Sequence, residues 1–214
     1  MLACKPGQII ILNGAPRSGK SSIARVVLDT FAGVWVNLGV DGFKQLTSQR
    51  YSPGIGLRPG GELAATLEPL VPVLYAAMYE SIAAHSRMGV NVVVDVGHHD
   101  AYSVPRGILF ESARRLRDLP VLFVGIRCPI EIIIERRQET WDPSRGLDEH
   151  ICRWQREVHM PGIYDVEVDT SQLTPPECAD TIRQRLESGP EPTAFKRLAE
   201  MHLKHGTAAS GAPQ

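Results

Sequence analysis

The chain has 214 residues, 43% of them hydrophobic and 22% charged, with a formal net charge of −1. That is enough for one α/β domain with a proper core, and two complete domains would be cramped. The near-neutral balance excludes a global field that draws the protein to nucleic acid or to an anionic membrane, and no apolar run approaches the roughly 20 residues of a membrane span.

The first predicted element is a strand, QIIILNG (8–14). Its apolar run is too short for a signal-peptide core and leads directly into a phosphate-binding motif, so it reads as buried strand in a cytoplasmic protein. A helix over 21–31 follows, then a strand, VWVNLGVD (34–41). Residues 48–61, rich in Gly, Pro and Ser and carrying Arg50, Tyr51 and Arg58, read as a mobile loop over a substrate site. A long alanine-rich helical stretch occupies 63–88, with Pro69 and Pro72 near its start. The strand VNVVVDVG (90–97) leads to a helix over 105–117 that opens on Pro105, a good first-turn residue. The strand PVLFVGIRC (120–128) is followed by helices over 129–140 and 147–159. The last strand, YDVEVDTS (164–171), alternates in polarity and is expected at a sheet edge, whereas the other four read as covered on both faces. A helix over 176–187 completes the set. Strand–helix alternation predicts a three-layer α/β fold with a five-stranded parallel sheet between helices, spanning residues 1–188. Residues 189–214 hold a helix candidate (193–204) and a flexible Gly/Ala/Ser tail. The scattered Cys4, Cys128, Cys152 and Cys178 have no metal or redox spacing and read as free thiols.

The chemistry centres on GAPRSGKS, Gly14 to Ser21, which fits GxxxxGK[ST] without a mismatch. Gly14 and Gly19 let successive amides turn inward toward phosphate oxygens, and the helix that follows directs its positive end at the same anion. Lys20 supplies a charge for the β- and γ-phosphates, and Ser21 a hydroxyl for Mg²⁺. The expected nucleotide-binding residues are Gly14, Ala15, Pro16, Arg17, Ser18, Gly19, Lys20, Ser21 and Ser22, with ATP and Mg²⁺ as cofactors. The strand before the motif and the helix after it are the context this loop requires.

Ligands of an open parallel sheet bind beyond the carboxyl ends of its strands, which gives weight to the acidic residues there. Asp41, closing the second strand, is the expected base for an acceptor hydroxyl; a helix N-cap is the other reading of it. Asp95, at the end of VVVD, reads as a Walker B carboxylate serving Mg²⁺ or the acceptor, or as a carboxylate bonded to the phosphate-loop backbone. The following GHHD (97–100) reads as a pocket loop with His98 or His99 as hydrogen-bond donors. Adjacent histidines on extended chain point apart, so a transition-metal site is not expected. Arg136 and Arg137 close the helix after the fourth strand and are expected to fold over the transferring phosphoryl group; a solvated basic helix end is the other reading. The turn Asp169–Ser171 is expected near the nucleotide base.

Taken in order, IILNGAPRSGKSS, LGVDGF, VVVDVGHHD, FVGIRCP…ERR and YDVEVDTS resemble the chloramphenicol phosphotransferase family over about residues 8–187. The resemblance implies a P-loop kinase fold, transfer of the ATP γ-phosphate to a primary hydroxyl of the antibiotic, and with it an antibiotic-resistance role. It implies that Asp41 matches the family's catalytic carboxylate, that Asp95 takes the strand-end position, and that Arg136 matches an arginine after the VGIRC strand. The 48–61 loop, GHHD and the tail depart from the family pattern. The expected partner is a small-molecule hydroxyl acceptor. Two other readings share the phosphate loop. One is a kinase of another metabolite or a nucleotide, for which Arg50, Arg58 and Arg106 would grip an acceptor phosphate. The other is a nucleotide-dependent regulatory or toxin-like module, although no NKxD guanine motif is present.

Overall fold

Side chains alternate across a strand with period two, and this sorts the apolar strand residues onto two faces of one sheet. The computed structural model describes residues 5–51, 67–138 and 149–206. Strands β1 (Ile9–Asn13), β2 (Trp35–Asn37), β3 (Asn91–Val96), β4 (Val121–Arg127) and β5 (Val166–Asp169) pair in parallel in the order β2-β3-β1-β4-β5. The register sets Ile11 against Val94 on one side and Phe123 on the other. As the central strand, β1 is completely buried from Ile9 to Leu12.

Ile9, Ile11, Val92, Val94 and Phe123 face helices α3 (Val71–Arg87), α4 (Ile108–Leu116) and α8 (Ala194–Gly206). Ile10, Leu12, Val93, Leu122 and Val124 face α1 (Lys20–Thr30) and α7 (Pro175–Ser188). The three-layer expectation is met. A smaller apolar cluster joins Ala15, Cys128, Ile133 and Val158, and so packs α5 (Ile130–Gln138) and α6 (Glu149–Glu157) against the phosphate loop. The start of α7 is written locally: Thr174 is its N-cap in a reciprocal capping box with Glu177, followed by proline in the first turn.

Three expectations change. The second strand spans only three residues, and after it the chain turns into α2 (Val40–Gln45), so Asp41 lies in a helix and does not close a strand. With a partner on one side only, β2 is a half-exposed edge, unlike the doubly covered strand expected. β5 is the other edge, as its alternation indicates. Finally, the helix candidate set apart from the domain belongs to the main core through Ala194, Phe195, Leu198 and Ala199. Asp165 holds its start: Oδ1 accepts from Thr193 N and Ala194 N at 2.7 and 3.0 Å, and Oδ2 accepts from Phe123 N at 2.9 Å. Most of the expected mobile loop, including Arg58, as well as Arg145 and residues 207–214, lies outside the described residues. Cys128 and Cys178 are buried free thiols and Cys152 is an exposed one. No helix among the described residues is long and apolar enough to cross a membrane.

Candidate active site

The residues after β1 form an anion cradle. Arg17 and Gly19 both have left-handed backbone, at φ 67° and 91°, an arrangement that turns neighbouring N–H groups into a common hollow. Gly19 is the N-cap of α1, and the first turn of that helix carries no acidic residue to offset its positive end. At Gly14 a side chain is impossible, because a Cβ there would lie 2.6 Å from the Ile126 carbonyl oxygen. Lys20 Nζ folds back onto the Ala15 carbonyl at 2.6 Å. Pro16 and Arg17 line the outer rim, while Ser18 is buried and Ser22 exposed.

Ser21 Oγ donates to Asp95 Oδ2 at 2.6 Å, joining the hydroxyl and the strand-end carboxylate that the sequence paired by chemistry alone. Burial lowers the Lys20 ammonium to about 8, against the opposing pull of Asp95 and Asp41. Asp41 is exposed in the first turn of α2. What brings α2 close is Gly39, its N-cap, which approaches Asp95 so tightly that any Cβ would collide with Oδ1 of that carboxylate. Asn37 Oδ1 fixes this turn by accepting from Gly39 N at 2.8 Å.

Arg136 is engaged with the loop after β5. Its guanidinium donates to Thr170 O at 2.7 Å and Thr170 Oγ1 at 3.1 Å, and reaches the Arg17 carbonyl at 3.5 Å. Thr170 in turn donates from Oγ1 to Ser18 O at 2.9 Å, and its methyl faces Gly19. The expected turn 169–171 is thus bonded directly to the phosphate loop. Arg137 also lies in the last turn of α5.

The loop after β3 is spent largely on internal contacts. His98 is 2% exposed, bonded to the Tyr79 hydroxyl at 2.6 Å and packed against Tyr75; burial, with His99, lowers it to about 3, so it is neutral. His99 packs against Tyr102 and Trp154. Asp100 accepts from Arg106 N and Gly107 N at 2.7 and 3.1 Å and so anchors the approach to α4. Arg106 pairs with buried Glu68 at 3.4 Å. Burial raises the Glu68 carboxyl, but bonds from Ser103 and Arg106 outweigh it and hold it below the usual range. Among the described residues no group of three His, Cys, Asp or Glu side chains is arranged to hold a metal ion.

Helix α6 lies across the strand ends. Trp154 Nε1 donates to Gly97 O after β3, Gln155 Nε2 to Cys128 O after β4, and Asn13 Nδ2 at the end of β1 donates to Val158 O at 2.7 Å. Asn13, Trp154 and Tyr164 were not singled out from the sequence. A positional signal was available for Asn13, which closes β1 immediately before Gly14.

A five-stranded parallel sheet, helices on both faces and a phosphate loop opposed by a Ser–Asp pair define a P-loop kinase fold. The chain belongs to the family described as chloramphenicol phosphotransferase-like protein, whose match covers residues 7–187. Two Mycobacterium tuberculosis proteins, from strains CDC 1551 and H37Rv and each named "Putative O-phosphotransferase", are 27% identical over 216 residues, covering 95% of this chain and 92% of each relative. Among solved structures, a sugar kinase from Janibacter sp. superposes with a TM-score of 0.57 at 19% identity, covering 86% of this chain and 97% of that one. The Mycobacterium tuberculosis APS kinase, in complex with AMPPNP and APS, gives 0.58 at 16% identity, covering 86% and 99%. The Deinococcus radiodurans tunicamycin resistance protein gives 0.59 at 17%, covering 85% and 96%. These likenesses show the fold; the family match shows a phosphotransferase kind of enzyme.

Proposed function

We propose that this protein transfers the γ-phosphoryl group of ATP to a hydroxyl group of a small molecule. The observation that carries the reading is Ser21 of the phosphate loop bonded to the Asp95 carboxylate of β3 at 2.6 Å, with α2, which bears Asp41, packed against that carboxylate through Gly39. A hydroxyl and a carboxylate oxygen are the hard donors Mg²⁺ takes, so Ser21 and Asp95 would hold it, and the bound ion neutralises phosphate charge. The loop amides and Lys20 orient the β- and γ-phosphates. Asp41, exposed on the acceptor side, receives the acceptor's hydroxyl proton as the new P–O bond forms and ADP departs. Arg136, tied to Thr170, braces the nucleotide loop and keeps its charge beside the phosphate site. The relatives named as O-phosphotransferases support the reaction class. The pairing of Arg106 with Glu68 weighs against a nucleotide acceptor, which needs such arginines free for a second phosphate.

Chloramphenicol or a related antibiotic is the first acceptor to test, by mass after incubation with ATP and Mg²⁺. A gain of one phosphoryl group on the antibiotic is expected; gain on another hydroxyl compound alone overturns the acceptor but keeps the reaction. Asp41→Asn is expected to bind ATP as the wild type does and transfer roughly 100-fold more slowly or worse. Undiminished transfer refutes its role as base.

A further inference from the structure

Immediately before the phosphate loop, Asn13 is 1% exposed, and both ends of its amide are fixed by main-chain partners. Oδ1 accepts from His98 N at 2.8 Å, and Nδ2 donates to Val158 O at 2.7 Å. A carbonyl cannot donate and an amide N–H cannot accept, so the amide has one orientation. Nδ2 then donates its second proton to the Tyr164 hydroxyl at 2.9 Å. The Tyr164 hydroxyl is also bonded to His159 Nδ1, 2.8 Å away. Burial, aided by Arg127, lowers His159 to about 4, so the ring is neutral. The series Asn13, Tyr164, His159 therefore runs without a break from the end of β1 to the turn after α6.

Asn13 meets Tyr164 and His159 from the other end of the chain, where three segments must stay in step. Asn13 ends β1 and precedes Gly14; His98 follows β3; Val158 and His159 follow α6, the helix packed on Ala15 of the phosphate loop. Tyr164 lies over Gly125, where even a Cβ would come within 2.8 Å of its ring. Both residues are thus wedged between the sheet and the return from α6. Breaking the Tyr–His bond leaves a buried hydroxyl proton or a buried ring nitrogen unmatched, and the strain falls on the segment holding α6 against the loop.

We propose that Asn13, Tyr164 and His159 form a positioning relay that sets the phosphate loop against α6 and so governs nucleotide affinity. None of the three needs to touch the nucleotide, and the proposal rests on the ATP-binding reading given above. The test is ATP affinity by calorimetry with Mg²⁺ present, alongside thermal unfolding, for wild type, Lys20→Ala, Tyr164→Phe, His159→Ala and His159→Asn. Asparagine can place an oxygen where Nδ1 sits and accept from Tyr164. Tyr164→Phe and His159→Ala are expected to weaken ATP binding about tenfold, with His159→Asn within about twofold of wild type. Wild-type affinity in Tyr164→Phe and His159→Ala, with only a lower unfolding temperature, overturns the proposal and leaves the ATP reading standing. His159→Asn as weak as His159→Ala also overturns it, and this pair decides the matter if Tyr164→Phe does not fold. A wild type that binds no ATP, or binds it regardless of Lys20, overturns the ATP reading and the relay with it.

Discussion

Raising the pH from 7 to 9 is expected to weaken ATP binding about tenfold through Lys20 alone. In the free protein burial brings this ammonium down from 10.5 to about 8. One pH unit below that value about ten lysines in eleven carry the charge that attracts phosphate; one unit above, about one in eleven does. Bound polyphosphate surrounds Nζ with negative charge and keeps it protonated throughout this range, so the alkaline protein must take up a proton to bind. The cost is about 1.4 kcal/mol per pH unit above the free-state pKa. The sign for folding is the reverse. Between about 8 and 10.5 the unfolded chain holds a proton that the folded lysine has released, so the nucleotide-free protein gains stability as the pH rises through that window. The assay is ATP affinity by calorimetry at several pH values for the wild type and Lys20→Arg, whose guanidinium stays charged. A flat wild-type profile, or an equal slope in Lys20→Arg, refutes the reasoning.

Thr170→Val removes the donor to Ser18 O and the acceptor for Arg136. It is expected to cost on the order of 1–2 kcal/mol in denaturant unfolding and to raise the KM for ATP, with Thr170→Ser largely restoring both. Gly97→Ala places a Cβ 3.1 Å from Gly14 O and from Trp154 Nε1. The overpacking is expected to cost about 1–3 kcal/mol and to weaken ATP binding, measured by unfolding and calorimetry. Asp165→Ala frees three main-chain N–H groups, of Phe123, Thr193 and Ala194. It is expected to destabilise by about 2–4 kcal/mol, read by denaturant titration; wild-type stability would mean that α8 is held by its apolar face alone.

The phosphate loop was legible because its function is a backbone shape, and a backbone shape is written in consecutive residues: two glycines, a lysine and a serine between a strand and a helix. The Ser21–Asp95 pair was legible at one remove, since the start of α1 and the end of β3 both lie at the carboxyl ends of the parallel strands. Asp41 was placed near the site for a partly mistaken reason. The apolar run 34–41 reads as strand throughout, but β2 pairs on one side only, and after Asn37 the chain turns against Asp95 at Gly39 and enters a helix. His98 offered a pocket donor in sequence and is an interior residue in the fold, because its ring lies between Tyr75 and Tyr79. Arg136 sits at the expected helix end, with its guanidinium committed to Thr170.

By itself, then, the sequence determined the five strands, the phosphate loop and the kind of chemistry that loop serves. These depend on periodicity and on turn geometry within a few residues, and such forces act before the chain has folded back on itself. Only the tertiary structure decided which polar side chains serve the site and which serve the scaffold. Asn13 meets its partners 145 and 151 residues away in the chain, and Thr170 meets Ser18 across 152. A hydrogen bond over such a separation is selected by the packing of whole layers, and no local pattern encodes it.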